Sequence, residues 1–528
     1  MKAKRLIGIL ILGLGLTLAL LAGLQMAHAG PAASTRYVTT GGTDGGGTNS
    51  CTTTPCRTVQ QAVNVAADGD EIRVATGVYT GVQLSQGVTQ VVYINKTVIL
   101  RGGYTTTLDG WAMPYPLTQP TVLDAQRQGR VVYIGGNFTP TLDGFTIANG
   151  NATGLIANCD ENRPDGCGGG IFSHDAHPII VNSIITNNIA AVTTAGYPTG
   201  TTGYGGGLYL SGAARAVISG NLIISNVASL ANCGNGGGIY LDRYSINSSA
   251  QVQFNQVFSN TATTTNLGCA WGGGITGGPD GVVIRGNSVI GNRANGYGGG
   301  QGAGLYQWYG SATYLNNLVR GNLGAVSGQA VYLGHSRSRF EGNRVMDNVT
   351  SQGVQLFFSE GGGATLINNV VARSGDKTLA ATGDVSAPLT ATLLHNTLVG
   401  SGSGSGVYVE TDSVTLFMTN TIVASTTWGI TNTFPASSTV SSDHTLFWAN
   451  TNDGIRGVSP VDGDPVFASD GYHILTGSAA YNRGVDAGVT TDIDGDPRPD
   501  SCSPDIGADE LVTGLGCWRV YLPAVMRN

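Results

Sequence analysis

Charged residues are scarce in this chain of 528 residues. Lys and Arg number 26 and Asp and Glu 33, so 11% of the residues are charged and the formal net charge is −7. Beyond the first 30 residues the lysines are Lys96 and Lys377. Binding to duplex nucleic acid needs a basic surface that neutralises phosphates, and the sequence has no basic stripe. The composition therefore argues against a nucleic-acid partner.

The composition also argues against a helical bundle and against a collagen-like repeat. Gly supplies 82 of the 528 residues, which argues against a helical bundle. Its spacing lacks the strict period that a collagen triple helix needs. A hydrophobic fraction of 41% is enough to bury a long core, which argues against disorder. These limits favour a repetitive, folded architecture.

The first 29 residues are typical of a secretory signal peptide. Three cations, Lys2, Lys4 and Arg5, precede an apolar run at 6–24, and small residues at 27–29 form a cleavage site. A retained membrane anchor is the alternative, because the run is close to spanning length. Cleavage leaves 23 cations (26 minus 3) and 33 anions, a net charge of −10. The sequence predicts a secreted or extracellular cell-surface protein with no membrane span after cleavage.

Eight cysteines fall into four pairs along the chain. In an exported protein this pattern predicts four local disulfides. A metal site is the weaker alternative, because no Cys-x-x-Cys spacing occurs and histidines are not clustered around the thiols. The expected pairs are Cys51 with Cys56, Cys159 with Cys167, Cys233 with Cys269, and Cys502 with Cys517.

A motif of three glycines, an aliphatic residue and an aromatic residue recurs in the middle of the chain. It is complete at 168–172, 205–209 and 236–240, and degenerate copies follow. An Asn follows each copy, and in the first six repeats a second Asn stands five residues later. The nine first positions span 238 residues (420 minus 182), or about 30 per step, which is a solenoid period. They are Asn182, Asn221, Asn255, Asn287, Asn317, Asn343, Asn369, Asn396 and Asn420.

Apolar residues alternate within each repeat, as in Leu208 and Leu210 or Ile239 and Leu241. Two further short apolar runs flank the first Asn. Three short strands per repeat predict an all-β fold, a parallel β-helix. The Asn is expected at a bend with left-handed backbone, where its amide can hydrogen-bond from coil to coil as a ladder.

Segments at both ends of the repeat resemble those of a known group. They are 56–63 (CRTVQQAV), 69–74 (GDEIRV), 463–467 (GDPVF), 492–499 (DIDGDPRP) and 504–508 (PDIGA). The chain resembles the right-handed parallel β-helix superfamily typified by pectate lyases, and within it secreted bacterial proteins of the choice-of-anchor Q type. The resemblance implies fold and export. It does not imply an activity, because the superfamily includes lyases, hydrolases and adhesins.

These patterns divide the chain into five parts. The signal peptide (1–29) precedes an N-terminal cap with the first coils (30–150), the repeat β-helix (151–461), a closing segment (462–511) and a tail (512–528). An amphipathic helix at 57–67 is expected to cap the first coil and shield its edge. The tail is interpreted either as a sorting signal or as disordered chain.

The first strand of each repeat carries an aromatic residue that is expected to point outward, since it lies between inward-pointing aliphatic residues. Thr276 and Gln355 interrupt this column, and inserted loops enter just before the strand. Rings beside a loop wall predict a groove for an extended polysaccharide; alternatively, the rings only stabilise one another. The candidate ligand-binding residues are Phe172, Tyr209, Tyr240, Tyr306, Trp308, Tyr332 and Tyr408.

Signals for catalysis and metal binding are weak. His174 and Asp242 face the predicted groove, but each stands alone on its coil and is also explained as an ordinary surface residue. Asp492, Asp494 and Asp496 alternate in a Gly-containing turn, a pattern that favours Ca²⁺, with a solvated polar turn as the alternative. No motif requires a cofactor.

The sequence thus predicts a secreted or cell-surface β-helix that binds an extended polysaccharide or surface polymer without turning it over. A polysaccharide lyase or glycoside hydrolase acting in the groove is the first alternative. A structural surface spacer or adhesin is the second.

Overall fold

A computed structural model describes residues 33–514, apart from 86, 107–109, 156–158, 160–165, 193–201, 213–214, 243–247, 266–267, 278, 297–299, 325–327, 351–353, 360 and 374. The predicted signal peptide and almost all of the predicted tail lie outside these residues. Among the helices of the described part, none has the length and apolar character that crossing a membrane requires.

Three sheets of 14 strands each form the body of the protein. After the first strand and the helix, the chain passes repeatedly from sheet 1 to sheet 2 to sheet 3, and the strands pair in parallel with their equivalents one coil away, except that Gln83–Ser85 pairs antiparallel with Val88–Ile94 of its own coil. Ile218, for example, lies between Ile180 and Val252 in sheet 1. This is the predicted right-handed parallel β-helix. Thirteen spacings of ~4.8 Å make the stack about 60 Å long.

Sheet 1 consists of Thr35–Val38, Glu71–Ala75, Ile99–Tyr104, Thr141–Asp143, Ile179–Val181, Val217–Ser219, Gln251–Gln253, Val283–Arg285, Thr313–Leu315, Arg339–Glu341, Gly363–Ile367, Leu389–Leu394, Val414–Thr419 and Thr439–Asp443. Sheet 2 consists of Gly77–Tyr79, Thr121–Asp124, Phe145–Ala148, Ile184–Thr186, Leu222–Ile224, Gln256–Phe258, Ser288–Ile290, Leu318–Arg320, Arg344–Met346, Val370–Ala372, Thr397–Val399, Ile422–Ala424, Leu446–Trp448 and Val461–Asp462. Sheet 3 consists of Gln83–Ser85, Val88–Ile94, Arg130–Gly135, Ile171–His174, Leu208–Ser211, Ile239–Leu241, Ile275–Thr276, Leu305–Gly310, Val331–Ser336, Val354–Ser359, Lys377–Thr382, Ser405–Val409, Trp428–Asn432 and Asn452–Gly454.

The loops inserted before sheet 3 begin and end in short strands of their own. These strands pair from coil to coil and form two small sheets, so the loop bases continue the solenoid. Sheet 4 consists of Ile189–Ala191, Val227–Ser229, Thr261–Thr263, Arg293–Ala294 and Leu323–Gly324. Sheet 5 consists of Gly166–Cys167, Gly203–Tyr204, Gly234–Asn235 and Ala270–Trp271.

The helix predicted at 57–67 is present as Val59–Val65 and caps the first coil. The Thr58 hydroxyl accepts a hydrogen bond from the Gln61 amide at its start, as an N-cap residue does. Lys96 Nζ donates to carbonyls at its end. Ala62 and Val63 join the hydrophobic core and cover it. A short 3₁₀ helix, Gly45–Gly47, precedes it.

Buried aliphatic side chains stack inside the coils, one above another. Ile218, Val252 and Ile284 are 0–1% exposed and occupy equivalent positions in sheet 1. Tyr314 continues this stack and is also fully buried, its hydroxyl donating to Gln307 Oε1. The alternating apolar pattern in the sequence thus produces one continuous core.

The predicted Asn ladder lies at the bend between sheets 1 and 2. In Asn255, for example, Nδ2 donates to Asn287 Oδ1 at 3.0 Å and to the carbonyl of Ile218 at 2.8 Å. The Asn255 backbone amide also donates to Asn287 Oδ1. Equivalent bonds link the ladder from Asn221 to Asn396. Each buried amide is therefore satisfied by its neighbouring coils.

The two ends of the predicted ladder were wrong by one residue. The register places Ser183, and not Asn182, next to Asn221 in the ladder, while Asn182 is exposed and donates to Asp143. Asn420 similarly precedes the ladder position and donates to the carbonyl of Val485. The physical reason is that the bend contains a left-handed residue, such as Asn182 (φ 50°), immediately before the ladder residue. Asn suits both positions, so the spacing alone did not separate them.

A second ladder, at the bend between sheets 2 and 4, contains the Asn residues that stand five positions later. Asn226, Asn260, Asn292 and Asn322 are 0% exposed, and each Nδ2 donates to the next Oδ1 at 2.9–3.0 Å. It begins at Asn188, one residue after Asn187. Two parallel ladders thus hold the central coils.

The closing segment lies along the outer face of sheet 2. Tyr472 and Ile493 pack on Met346 and Val370, and further along Ile506 packs on Ile422. The last coil itself is covered by Arg456, whose guanidinium lies 5.2 Å from the Phe447 ring centroid and pairs with Asp453 and Asp462. The segment therefore covers a flank of the solenoid.

Three of the four predicted disulfides lie within the described residues. They join Cys51 to Cys56, Cys159 to Cys167 and Cys233 to Cys269. Cys502 is also disulfide-bonded, and Cys517 lies outside the described residues.

Candidate functional site

The predicted aromatic column exists on the outer face of sheet 3. Successive rings lie 5.0–5.3 Å apart between centroids; they are tilted from Tyr93 to Phe172 and stacked in the later pairs. Strand pairing in sheet 3 places one residue of each coil in this column. In chain order they are Tyr93, Tyr133, Phe172, Tyr209, Tyr240, Thr276, Tyr306, Tyr332, Phe357, Ala380 and Tyr408. Thr276 interrupts the column as predicted.

Phe357, and not Gln355, is the column residue of its coil. The strand pairs Phe357 with Tyr332 on one side and Ala380 on the other. The predicted interruption at Gln355 was therefore wrong by two residues, because no Gly triplet marks the start of that strand.

The first part of the column is covered, which corrects its predicted role. Phe172 and Tyr209 are each 1% exposed and pack with Cys159 and Cys167. The Tyr209 hydroxyl donates to the Cys159 carbonyl at 2.7 Å, and burial raises the pKa of Tyr209 far above its usual range. A ligand cannot reach these two rings in this arrangement, so they support the sheet.

Where Thr276 replaces an aromatic residue, the column opens into a pocket of about 430 Å³, here called the gap pocket. Tyr240 borders it on one side and Tyr306 on the other. Two strand spacings separate these rings, and the strand between them has the short Thr276 side chain at the column position. Thr276 Oγ1 donates to Asn235 Oδ1 at 2.9 Å and is thereby held to the wall.

The wall of the gap pocket comes from the residues that immediately precede the Gly triplets. These pair from coil to coil, so that Tyr204, Asn235, Trp271 and Gln301 form a second column beside the rings. The first Gly of each triplet turns the chain back into sheet 3. Gly236 has φ 65°, and a Cβ there would lie 2.5 Å from the carbonyl oxygen of Ile239. Sequence reasoning missed this wall, although its position before each triplet marks it.

Asp242 and His174 lie in one row of sheet 3, two residues beyond the aromatic column. His174 pairs with Ser211, and Asp242 follows in the next coil. Asp242 lines the gap pocket and is 6% exposed; its Oδ2 accepts a hydrogen bond from Ser211 Oγ at 2.9 Å. His174 contacts Asp175 at 3.3 Å and does not line the pocket. The structure therefore does not unite the two catalytic candidates.

The remaining predicted aromatic residues have different positions. Trp308 lines the gap pocket and stacks on Tyr332, with centroids 5.9 Å apart. Tyr332 is 5% exposed and its hydroxyl lies 2.9 Å from Ser359 Oγ. Tyr408 lies beyond Ala380, where Lys377 Nζ is 4.3 Å from its ring centroid. Only Tyr240, Tyr306 and Trp308 of the predicted set thus border the pocket.

The three carboxylates of the predicted metal site do not share one point. Asp492 Oδ1 accepts hydrogen bonds from the amides of Asp494 and Asp496, at 2.9 and 2.8 Å. Asp494 pairs instead with Arg344 and His473, each at 2.6 Å. Asp492 therefore stabilises the turn itself, and Ca²⁺ binding there stays a prediction.

No family model and no curated protein sequence matches the chain. Among solved structures, pectate lyase Pel9A has a TM-score of 0.32 at 10% identity, covering 91% of this chain and 97% of its own. XylC in complex with xylose has a TM-score of 0.34 at 10% identity, covering 82% and 87%. The tailspike protein of E. coli bacteriophage HK620 has a TM-score of 0.32 at 13% identity, covering 74% and 62%. Likenesses at these values assign no function to the chain, and the choice-of-anchor Q resemblance stays a prediction.

Proposed function

We propose that the protein binds a glycan by admitting a sugar ring into the gap pocket between Tyr240 and Tyr306. The observation that carries the proposal is the missing ring at Thr276. Neighbouring rings of the column stack at 5.0–5.3 Å, so a flat ligand ring in the gap lies at stacking distance from both Tyr240 and Tyr306. Sugar rings present apolar C–H faces that suit such a position.

Polar groups surround the same space and complement a sugar's hydroxyls. Asp242, Asn235 and Gln301 line the pocket together with Thr276. A few polar groups placed around aromatic walls are the usual composition of a small-molecule site. The rings bind the faces of the sugar, and the polar groups bind its edge.

Beyond the gap pocket, a longer glycan meets further aromatic side chains. Trp308 borders the pocket, and the neighbouring Tyr309 is 49% exposed and stacks with His335 at 4.9 Å. These residues lie toward the later coils, along the solenoid axis. An extended polysaccharide can thus insert one sugar into the gap pocket and place its neighbouring sugars on these aromatic residues.

The pocket favours binding over hydrolysis. Glycoside hydrolases use two carboxyl groups placed on either side of the scissile bond. Among the described residues that line the pocket, Asp242 is the single carboxylate. We therefore propose a binding protein without turnover.

We further propose that the protein acts outside the cell. The disulfides are typical of exported proteins, and the leader sequence agrees with this. Its partner is then a polysaccharide or other polymer of the cell surface or its surroundings.

Glycan-array screening followed by calorimetry tests the binding function. Tyr306→Ala should weaken binding at least about tenfold, because it removes one of the two stacking faces. Tyr408→Ala is the matched control and should bind like the wild type, since Tyr408 lies outside the pocket. Binding that persists unchanged in Tyr306→Ala contradicts the proposed site.

A further inference from the structure

Three side chains of the closing segment converge beside sheet 2, away from the gap pocket. They are His473, Asp494 and Asp509, which come from three separate stretches of that segment. His473 Nε2 lies 2.6 Å from Asp494 Oδ2 and 3.9 Å from Asp509 Oδ1. One nitrogen and two carboxylate oxygens, one atom from each residue, all lie within 4.8 Å of one another. The segment thus brings three groups that can bind a metal ion to one point.

His473 and Asp494 are each held in place through their other polar atom. The Asp470 carboxylate lies 2.5 Å from His473 Nδ1, on the far side of the imidazole. Arg344 Nη2, which belongs to sheet 2, donates to Asp494 Oδ1 at 2.6 Å. Metal-binding histidines usually have such a carboxylate on the nitrogen that does not bind the metal. His473 Nε2 and Asp494 Oδ2 are therefore oriented by contacts outside the cluster.

The third group is a buried carboxylate with one oxygen that lacks a hydrogen bond. The Asp509 side chain is 8% exposed, and its Oδ2 accepts a hydrogen bond from the Ile474 amide at 2.7 Å. Its Oδ1 faces His473 and accepts no hydrogen bond from the described part of the chain. A buried polar atom without a partner is unfavourable, and a bound cation would satisfy it.

The charges of the cluster match a divalent cation. Asp470, Asp494 and Asp509 contribute three negative charges, and Arg344 contributes one positive charge. With His473 neutral, as a metal ligand must be, the sum is −2 (−3 plus 1). An imidazole together with carboxylates suits Zn²⁺, whereas Ca²⁺ and Mg²⁺ take oxygen ligands.

The distances are also close to those of a zinc site. Ligand atoms around a tetrahedral zinc ion lie about 3.3 Å apart. The separations of His473 Nε2 from its two neighbours, 2.6 and 3.9 Å, lie on either side of that value. Small rotations of the side chains, two of which are part-exposed, are enough to admit the ion.

We propose that His473 Nε2, Asp494 Oδ2 and Asp509 Oδ1 bind one zinc ion, with water completing the coordination. The ion replaces the proton between His473 and Asp494, and that proton leaves to the solvent. Because the three ligands come from separate stretches of the chain, the ion joins these stretches and fastens the closing segment beside sheet 2.

Calorimetry with zinc chloride tests this proposal on the full-length protein, purified without a polyhistidine tag and freed of metal by chelation. We expect one ion to bind per molecule. Saturating zinc should raise the melting temperature by several degrees, because the ion binds the folded state. Failure of the wild-type protein to bind zinc, or binding that leaves the melting temperature unchanged, overturns the proposal.

Two variants remove one ligand each. Asp509→Asn keeps the size of the side chain and an acceptor for the Ile474 amide but removes the charge. His473→Gln removes the imidazole. Each should weaken zinc binding at least about tenfold, the loss that even an outer-shell partner causes. Circular dichroism identifies the variants that fold, and unchanged zinc affinity in either folded variant overturns the proposal.

Asp496→Asn is the matched control. Asp496 is an exposed carboxylate in the same turn as Asp494 and is not one of the three ligands. This variant should bind zinc like the wild type. A loss equal to that of Asp509→Asn would place the ion in the turn at 492–496 and overturn the proposed site.

Discussion

Tyr240 and Tyr306 lie two strands apart on the same face of sheet 3, and Thr276 occupies the column position between them. Elsewhere the column has rings on adjacent strands, as in Tyr209 with Tyr240 and Tyr306 with Tyr332. At the interruption at Thr276, Cys159 of the covering loop and Trp308 both line the gap pocket. The aromatic column, whose rings elsewhere stack on one another, thus leaves space for one ligand ring.

The Asn ladder should contribute strongly to stability. Asn287→Ala leaves the Asn255 amide donors and the carbonyl of Val252 without their buried partner. We expect the free energy of unfolding to fall by about 3 kcal/mol, measured by urea denaturation.

Asn182→Gly is the control for the ladder, because Asn182 lies at the left-handed bend and Gly retains that backbone. This variant should lose less than about 1 kcal/mol of unfolding free energy, since the hydrogen bond from Asn182 to Asp143 is exposed. Similar losses for the two variants would contradict the assignment of Asn287 and not Asn182 to the ladder.

The disulfide between Cys233 and Cys269 should fix the wall of the gap pocket. These residues lie two positions before Asn235 and Trp271, and join the loops of consecutive coils. Replacing both by Ala should weaken glycan binding several-fold, because the wall residues lose their restraint, while circular dichroism shows the β-helix retained. The Cys51 and Cys56 pair, replaced in the same way, lies in the N-terminal cap and should leave the affinity unchanged. Equal losses of glycan affinity in the two double replacements would argue against a local role of the Cys233–Cys269 disulfide in holding the wall.

The closing segment should be more stable in mild acid than at alkaline pH. Burial raises the pKa of Asp505 to about 7 and that of Asp509 to about 6, from an ordinary value of 3.8. A carboxyl group with a raised pKa in the folded state stabilises it at low pH, and this contribution is lost as the pH rises through the folded pKa. The relevant window therefore lies between about pH 4 and 7.

His395 acts in the opposite direction within part of this window. Burial and Arg498 hold its pKa at about 3, so the folded state loses stability as the pH falls below the ordinary value of 6.5. The two carboxyl groups outweigh this single group, and we expect the melting temperature to fall between pH 5.5 and pH 8. Asp505→Asn should flatten the dependence. A melting temperature that rises over this range would contradict the assigned burial.

The fold could be predicted because its determinants repeat. Alternating apolar residues and the Gly triplets recur once per coil, so each copy reinforces the same strand assignment. The ladder register was less certain at its ends, because Asn182 and Asn420 satisfy the left-handed bend as well as a ladder position would. Local spacing does not distinguish the two roles.

The site was harder to predict because it depends on contacts between distant parts of the chain. The sequence indicates the outward face of Phe172 and Tyr209, but their burial arises from the loop around Cys159. Trp271 and Tyr204 reach the pocket only through the pairing of sheet 5. The interruption at Thr276 was visible in the sequence. That it forms a pocket follows only from the structure, where aromatic rings lie on both sides of it.

Filling the gap with an aromatic ring is the most direct test of the central claim. Calorimetry with a glycan selected on the array would compare Thr276→Phe with Thr276→Val, which removes the hydroxyl bonded to Asn235 without adding a ring. We predict that Thr276→Phe continues the ring stack, keeps or raises the melting temperature, and weakens binding at least about tenfold, whereas Thr276→Val retains most of the affinity. A folded Thr276→Phe protein that binds the glycan as tightly as the wild type would show that the ligand does not occupy the gap.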